Sequence, residues 1–145
     1  MDKTIFSYGR MKDFMLNFQR SEQQIIVSDL ELSKDYYSTI FGIKGTDSKF
    51  IDEQKKLALT LVQAADVSEI HPKKLLPEVY GFVDTVEELY SLYLTYRENG
   101  ALFAFNPRDT YDNGQRAKEF AIRDLDGYII AFKTMSPNND ESFVK

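Results

Sequence analysis

The chain has no cysteine and a single histidine in its 145 residues. Disulfides, thiolate metal centres and a cysteine nucleophile are excluded, and the missing cysteine fits a reducing compartment. Ser–His–Asp chemistry would have only His71 to use, and nothing around it supports that. Positive charge is also short, with 18 Lys and Arg against 23 Asp and Glu and a net charge of −5. The basic clusters Lys55-Lys56, Lys73-Lys74 and Arg116/Lys118 are brief and diluted by acids. This argues against a nucleic-acid partner, which calls for a basic face. No stretch approaches the roughly 18 apolar residues of a membrane span. The opening Met1-Asp2-Lys3-Thr4 has no signal-peptide pattern. The expectation is a soluble, cytoplasmic protein without a membrane partner. No P-loop, dinucleotide fingerprint or Gly-x-Ser-x-Gly elbow is present.

What the chain does have is material for a core. Hydrophobic residues make up 43%, with eleven Phe and nine Tyr, which speaks against disorder. The length suits one compact domain, or two modules sharing one core. Two segments repeat each other. Val27-Ser28-Asp29-Leu30-Glu31 opens an amphipathic stretch ending at Gly42, and Val83-Asp84-Thr85-Val86-Glu87 opens another ending at Gly100. The offset is 83 − 27 = 56 residues. In each copy an extended apolar run meets a polar cap and leads into a helix. That pattern predicts a duplicated strand–helix unit with a small-molecule site between the halves.

Along the chain, residues 1–21 read as an N-terminal arm, with Phe6, Met11, Phe14, Met15 and Phe18 near helical spacing. Residues 22–63 form the first module, with Ser28 as a capping-box residue opposite Glu31. Leu57 to Val62 reads as a central strand, apolar on both faces. Residues 64–77 read as a linker. Residues 78–134 form the second module, with Asp84 in the cap position that Ser28 holds in the first copy. Asn106 to Gln115 reads as a polar loop that could serve as a lid, and Asp124-Leu125-Asp126-Gly127 as a turn. Residues 135–145 read as a loose tail. Each half then runs strand–helix–strand–strand–strand, an α+β arrangement.

Three stretches carry a family resemblance. The run from Glu119 to Phe132 resembles the closing signature of the vicinal-oxygen-chelate superfamily, the glyoxalase, bleomycin-resistance and extradiol-dioxygenase group. Val27 to Ser33, with Tyr36-Tyr37 and Phe41-Gly42, resembles its opening signature, and Val83 to Leu89 repeats it. The resemblance covers about residues 22–134. It implies two βαβββ modules forming a cupped, partly open mixed-sheet barrel with helices outside. It also implies a homodimer, since modules in such proteins often pair across subunits.

Metal-dependent members place His, Gln or Glu at four positions, one opening each module's first strand and one on each module's last strand. Here the resemblance puts Glu22 and Glu78 at the first pair of positions, and Ala58 and Ala131 at the second. An alanine side chain cannot ligate a cation, and two carboxylates fall short of the usual three or four donors. The expectation is therefore no metal or other cofactor. If a divalent metal binds at all, Glu22 and Glu78 would hold it. Strand alternation with this geometry lines the cup with Glu22, Gln24, Thr60, Glu78, Tyr80 and Phe82 beside Ala58 and Ala131.

Aromatic walls with few polar groups suit a small organic ligand, aromatic or cationic. The same aromatics could equally fill the cup as core. The leading expectation is metal-independent binding of such a ligand, as in the bleomycin-resistance branch. A metal-dependent lyase, isomerase or dioxygenase with an atypical site is the alternative, and a structural or regulatory module the third. Whether any reaction is catalysed stays open, and no catalytic residue is assigned.

Overall fold

The computed structural model describes residues 23–43 and 48–134. The expected arm, Glu22 and the tail from residue 135 lie outside the described residues. The first strand, β1 (Gln23–Val27), leads into helix α1 (Leu30–Phe41). Strand β2 (Lys49–Asp52) follows, then a 3₁₀ turn at Glu53–Lys55 and strand β3 (Leu57–Gln63). After the connecting segment come β4 (Val79–Val83), helix α2 (Val86–Glu98), β5 (Leu102–Asp112), β6 (Gln115–Arg123) and β7 (Ile129–Thr134). The repeat holds at element level, since β4 begins 79 − 23 = 56 residues after β1.

The helix caps sit one residue later than the sequence suggests, in both copies. Asp29 caps α1, its carboxylate accepting from the Leu32 N–H at 3.1 Å. Thr85 caps α2, its hydroxyl accepting from the Glu88 N–H at 3.1 Å. The Ser28 N–H donates to the Asp126 carboxylate at 3.0 Å. The Asp84 N–H donates to Glu88 Oε1 at 3.0 Å. The shift is common to both copies, so the repeat stays in register. At the end of α1, Gly42 takes φ +68, a left-handed stop that favours glycine.

The strands form two mixed sheets, ordered β1-β3-β2 and β4-β7-β6-β5. The β1/β3 and β4/β7 pairs are parallel, as a strand–helix–strand crossover requires, and the rest are antiparallel. Among the described residues the first module has two strands after its helix, not three. The polar stretch expected as a loop is instead part of a hairpin. Asn113 (φ +52) and Gly114 (φ +81) make the tight turn, and β5 and β6 extend to either side of it. The polar side chains pair across the strands. Asp109 Oδ1 meets Lys118 Nζ at 2.8 Å, and Arg108 bridges to Glu119 at 3.3 Å.

The helix-facing sides of both sheets bound one apolar core. Ile25, Leu59 and Phe50 of the first sheet join Phe120, Ile130 and Phe132 of the second, all at most 1% exposed. Phe41 of α1 lies 5.7 Å from Tyr96 of α2 and 6.3 Å from Phe132, ring centre to ring centre. Gly81 allows the closest approach, because a Cβ there would stand 2.8 Å from the Phe132 ring. Polar bonds cross the same seam. Tyr37 donates to the buried Asp124 carboxylate at 2.7 Å, Tyr36 donates to Arg123 O at 2.7 Å, and Asn99 donates to Ile40 O at 3.0 Å. The two halves share their helices' side and turn their other sheet faces away from it.

Candidate functional site

Side chains alternate across a strand, so register alone decides which candidates meet. On the far face of the three-stranded sheet, Gln24 is opposite Thr60, and Thr60 is opposite Lys49. Ala58 is opposite Ile51 in the neighbouring row and is 2% exposed. On the far face of the four-stranded sheet, one row runs Tyr80, Ala131, Ala121, Phe105. The next row runs Phe82, Lys133, Glu119, Arg108.

The expected site residues therefore fall into two groups. Gln24, Ala58 and Thr60 come together on one sheet, and Tyr80, Phe82 and Ala131 on the other. Because both sheets give their helix sides to the shared core, these groups lie on different faces of one chain. Glu78 stands just before β4, with its carboxylate accepting from the Lys73 N–H at 3.0 Å. His71 is exposed in the connecting segment.

The second group has the shape of a floor with two walls. Ala121 and Ala131 are fully buried and form a small apolar cluster with Ile129, against which Ala104 and Phe105 pack. Tyr80 stacks on Phe82 at 6.1 Å between ring centres and carries Lys133 Nζ 5.6 Å from its own ring centre. At the opposite wall the Arg108 guanidinium carbon lies 3.5 Å from the centre of the Phe105 ring, a cation–π stack. Glu119, its side chain only 9% exposed, accepts from this arginine. Ala121, Phe105, Glu119 and Lys133 were not singled out from the sequence. The signal was available, because Glu119, Ala121 and Arg123 alternate with the core residues Phe120 and Ile122.

A separate depression of about 540 Å³ lies between the Glu53–Lys55 turn and α2. Lys56, Asp84, Glu88 and Thr95 are among its lining, which includes no expected site residue.

The sequence of the whole array matches the family model of the glyoxalase/bleomycin resistance protein/dioxygenase superfamily over residues 18–132. The chain belongs to that superfamily. Its fold matches solved structures, members of that superfamily among them. A glyoxalase/bleomycin resistance protein/dioxygenase from Alicyclobacillus acidocaldarius superposes with a TM-score of 0.61 at 14% identity, covering 86% of this chain and 94% of that one. Its counterpart from Nocardioides gives 0.59 at 18% identity, covering 83% and 87%. An integron cassette protein from the mobile metagenome of V. cholerae gives 0.53 at 21% identity, covering 78% and 91%. No curated protein matches the chain.

Superfamily membership raises the question of a metal, and the donor chemistry answers poorly to it. The two last-strand positions present methyl groups, at Ala58 in β3 and Ala131 in β7. Glu78 is engaged by a backbone N–H. Among the described residues no three His, Cys, Asp or Glu side chains are gathered as a metal centre needs.

The shifted titrations among the buried groups belong to the seam, not to the far faces. Burial pushes the Tyr37 hydroxyl well up, and the Asp124 carboxylate beside it adds to the shift. Asp124 is itself raised by burial, with hydrogen bonds from Tyr37, Tyr128 and Asp126 pulling the other way.

Proposed function

We propose that this superfamily member binds a small organic molecule on the far face of its four-stranded sheet, without a metal. The carrying observation is Ala131. It takes the last-strand position where metal-dependent members place a donor, and it joins Ala121 in a methyl floor between Tyr80 and Phe105. Such a floor offers dispersion and desolvation to a planar apolar group and no electron pair to a cation. The role is sequestration of the ligand or resistance to it, in the cytoplasm.

Each chain turns its two far faces apart, so a cup with two walls calls for a second copy. We propose a homodimer in which Gln24, Ala58 and Thr60 of one protomer face Tyr80, Phe82 and Ala131 of its partner. A second reading has its own support: Phe105 already packs on the floor, as a purely structural module would require.

Thermal unfolding with Ni, Zn, Mn or Fe(II), against a chelator-treated control, tests the metal-free reading. A metal at about 100 times its dissociation constant adds roughly 2.7 kcal/mol of stability. That amounts to a rise of several degrees in a domain of this size. The expected result is no such rise. A metal-specific rise that disappears in Glu78→Ala would replace this reading with a metal-dependent enzyme. Sedimentation velocity tests the dimer.

A further inference from the structure

We infer that the ligand of this face is an aromatic carboxylate, a ring bearing one anionic group. The inference rests on the binding reading above and sharpens it. The methyl floor of Ala121 and Ala131 is flanked by two aromatic walls, and each wall carries a cation. Lys133 stands over Tyr80 and Arg108 over Phe105. Both cations lie in the same row, directly beside the floor on one side. The only acid in that row is Glu119, so its formal charge is one positive. Tyr80 and Phe105 are separated by three strand spacings of about 4.8 Å, roughly 14 Å of backbone distance. That span admits one ring lying on the alanines with its plane along the walls.

A ring placed there puts its substituent into the cationic row. A carboxylate meets Lys133 and Arg108, each of which exchanges a present contact for a charge-assisted hydrogen bond to it. An ammonium would meet the same two cations and be repelled. Of the two acids that make a cationic ligand attractive from the sequence, Glu22 lies outside the described residues and Glu78 lies opposite Ile129, in the row on the other side of the floor from the two cations. The Glu78 carboxylate already accepts from the Lys73 N–H at 3.0 Å, which ties it to the connecting segment.

Phe105 now covers the floor and has to yield to an incoming ring. The β5/β6 register shifts on both sides of Phe105, between Phe103 and Phe105 and between Phe105 and Arg108. Of the two walls this one has the weaker ladder, so it is the one that yields to the ring.

The test is a titration of the ¹⁵N-labelled full chain with benzoate, benzylamine and benzyl alcohol, following the Ala121 and Ala131 amides by NMR. Benzoate is expected to shift both amides saturably and to bind more tightly than the other two. Lys133→Gln should weaken benzoate about tenfold, the loss of one charge-assisted bond, and Lys133→Arg should restore most of it. Arg108→Gln provides the same comparison should Lys133→Gln fold poorly. Equal or tighter binding of benzylamine or benzyl alcohol would overturn the carboxylate inference and leave a binding face. No response to any of the three probes would overturn both.

Discussion

The far faces of the two sheets share an ancestry of position and differ in chemistry. Both descend from the same strand–helix unit, placed 56 residues apart in the chain (23 to 79). Behind both, the caps, the parallel crossover strands and the apolar core face repeat closely. In front, the three-stranded sheet shows Gln24, Thr60, Lys49 and Ile51, a mixed surface with no aromatic side chain. The four-stranded sheet shows two alanines between aromatic walls, with a charged row alongside. The repeat thus preserves what folding needs, and the differences collect where a ligand would be read. A duplicated module is under one physical constraint on its core side, because both cores have become one. Its outer side carries no such constraint.

The sharpest way to break this comparison is to attack the shared core. Phe132 is fully buried and touches the rings of Phe41, Tyr96 and Phe120, so it belongs to both halves. Phe132→Ala should cost about 3–5 kcal/mol, the usual range for emptying such a site. Phe50→Ala, in the other sheet, should cost a similar amount. Urea unfolding of either variant should remain a single transition, coincident by far-ultraviolet and tyrosine signals. Two separate transitions would show that the halves fold independently and that the shared core does not bind them.

The next largest effect is expected at the seam. Asp124 accepts from Tyr37 Oη at 2.7 Å through one oxygen, and from the Asp126 and Tyr128 N–H groups at 2.9 and 2.8 Å through the other. Asp124→Ala leaves all three donors without this acceptor and should cost roughly 2–4 kcal/mol. Asp124→Asn can keep the backbone bonds through its oxygen and donate to the tyrosine through its amide, so it should cost less than half as much. The pH dependence has a definite sign. The folded state raises the Asp124 pKa above its ordinary value of 3.8. The fold therefore holds this proton more tightly than the unfolded chain does. This group's contribution is fully present below the ordinary value and is lost as pH rises through the raised one. The penalty of Asp124→Asn should accordingly be smaller at pH 7 than at pH 3, as read from urea midpoints. A penalty that grows with pH would mean that the carboxylate is stabilised in its charged form.

The sequence made the repeat, the fold class and the two stopping glycines legible, because each rests on short-range chemistry. Alternating strands, a polar cap and a left-handed glycine need no knowledge of distant residues. The caps came out one residue early because Ser28-Asp29 and Asp84-Thr85 each put two good capping side chains next to one another, and residue type alone does not choose between them. The hairpin beyond Asn106 read as a loop because its polar residues satisfy one another across strands, a partnership that local polarity cannot show. The candidate cup residues were chosen by type and strand parity. Their division between two faces depends on which side of each sheet enters the core. Helices on both sheets could pack outward or inward with the same sequence pattern. The choice is made by contacts such as Phe41 with Phe132, between elements far apart in the chain.

The mildest prediction concerns the charged pairs of the hairpin, where the difference between the faces is most visible and carries least stability. Lys118 Nζ meets Asp109 Oδ1 at 2.8 Å and Arg116 Nη2 meets Asp109 Oδ2 at 3.6 Å. The hydrogen bond from Lys118, foremost, holds the Asp109 carboxyl below its usual range. The side chains are substantially open to water, so screening removes most of the Coulomb gain. Lys118→Ala should change stability by no more than about 0.5–1 kcal/mol, and by less in 1 M salt. Glu119→Gln, one residue away in sequence but nearly buried and on the opposite face of the strand, should cost more and respond less to salt. Equal costs and equal salt responses for the two variants would show that the cationic row beside the alanine floor is solvated like any surface. Its power to select an anionic ligand would then be lost.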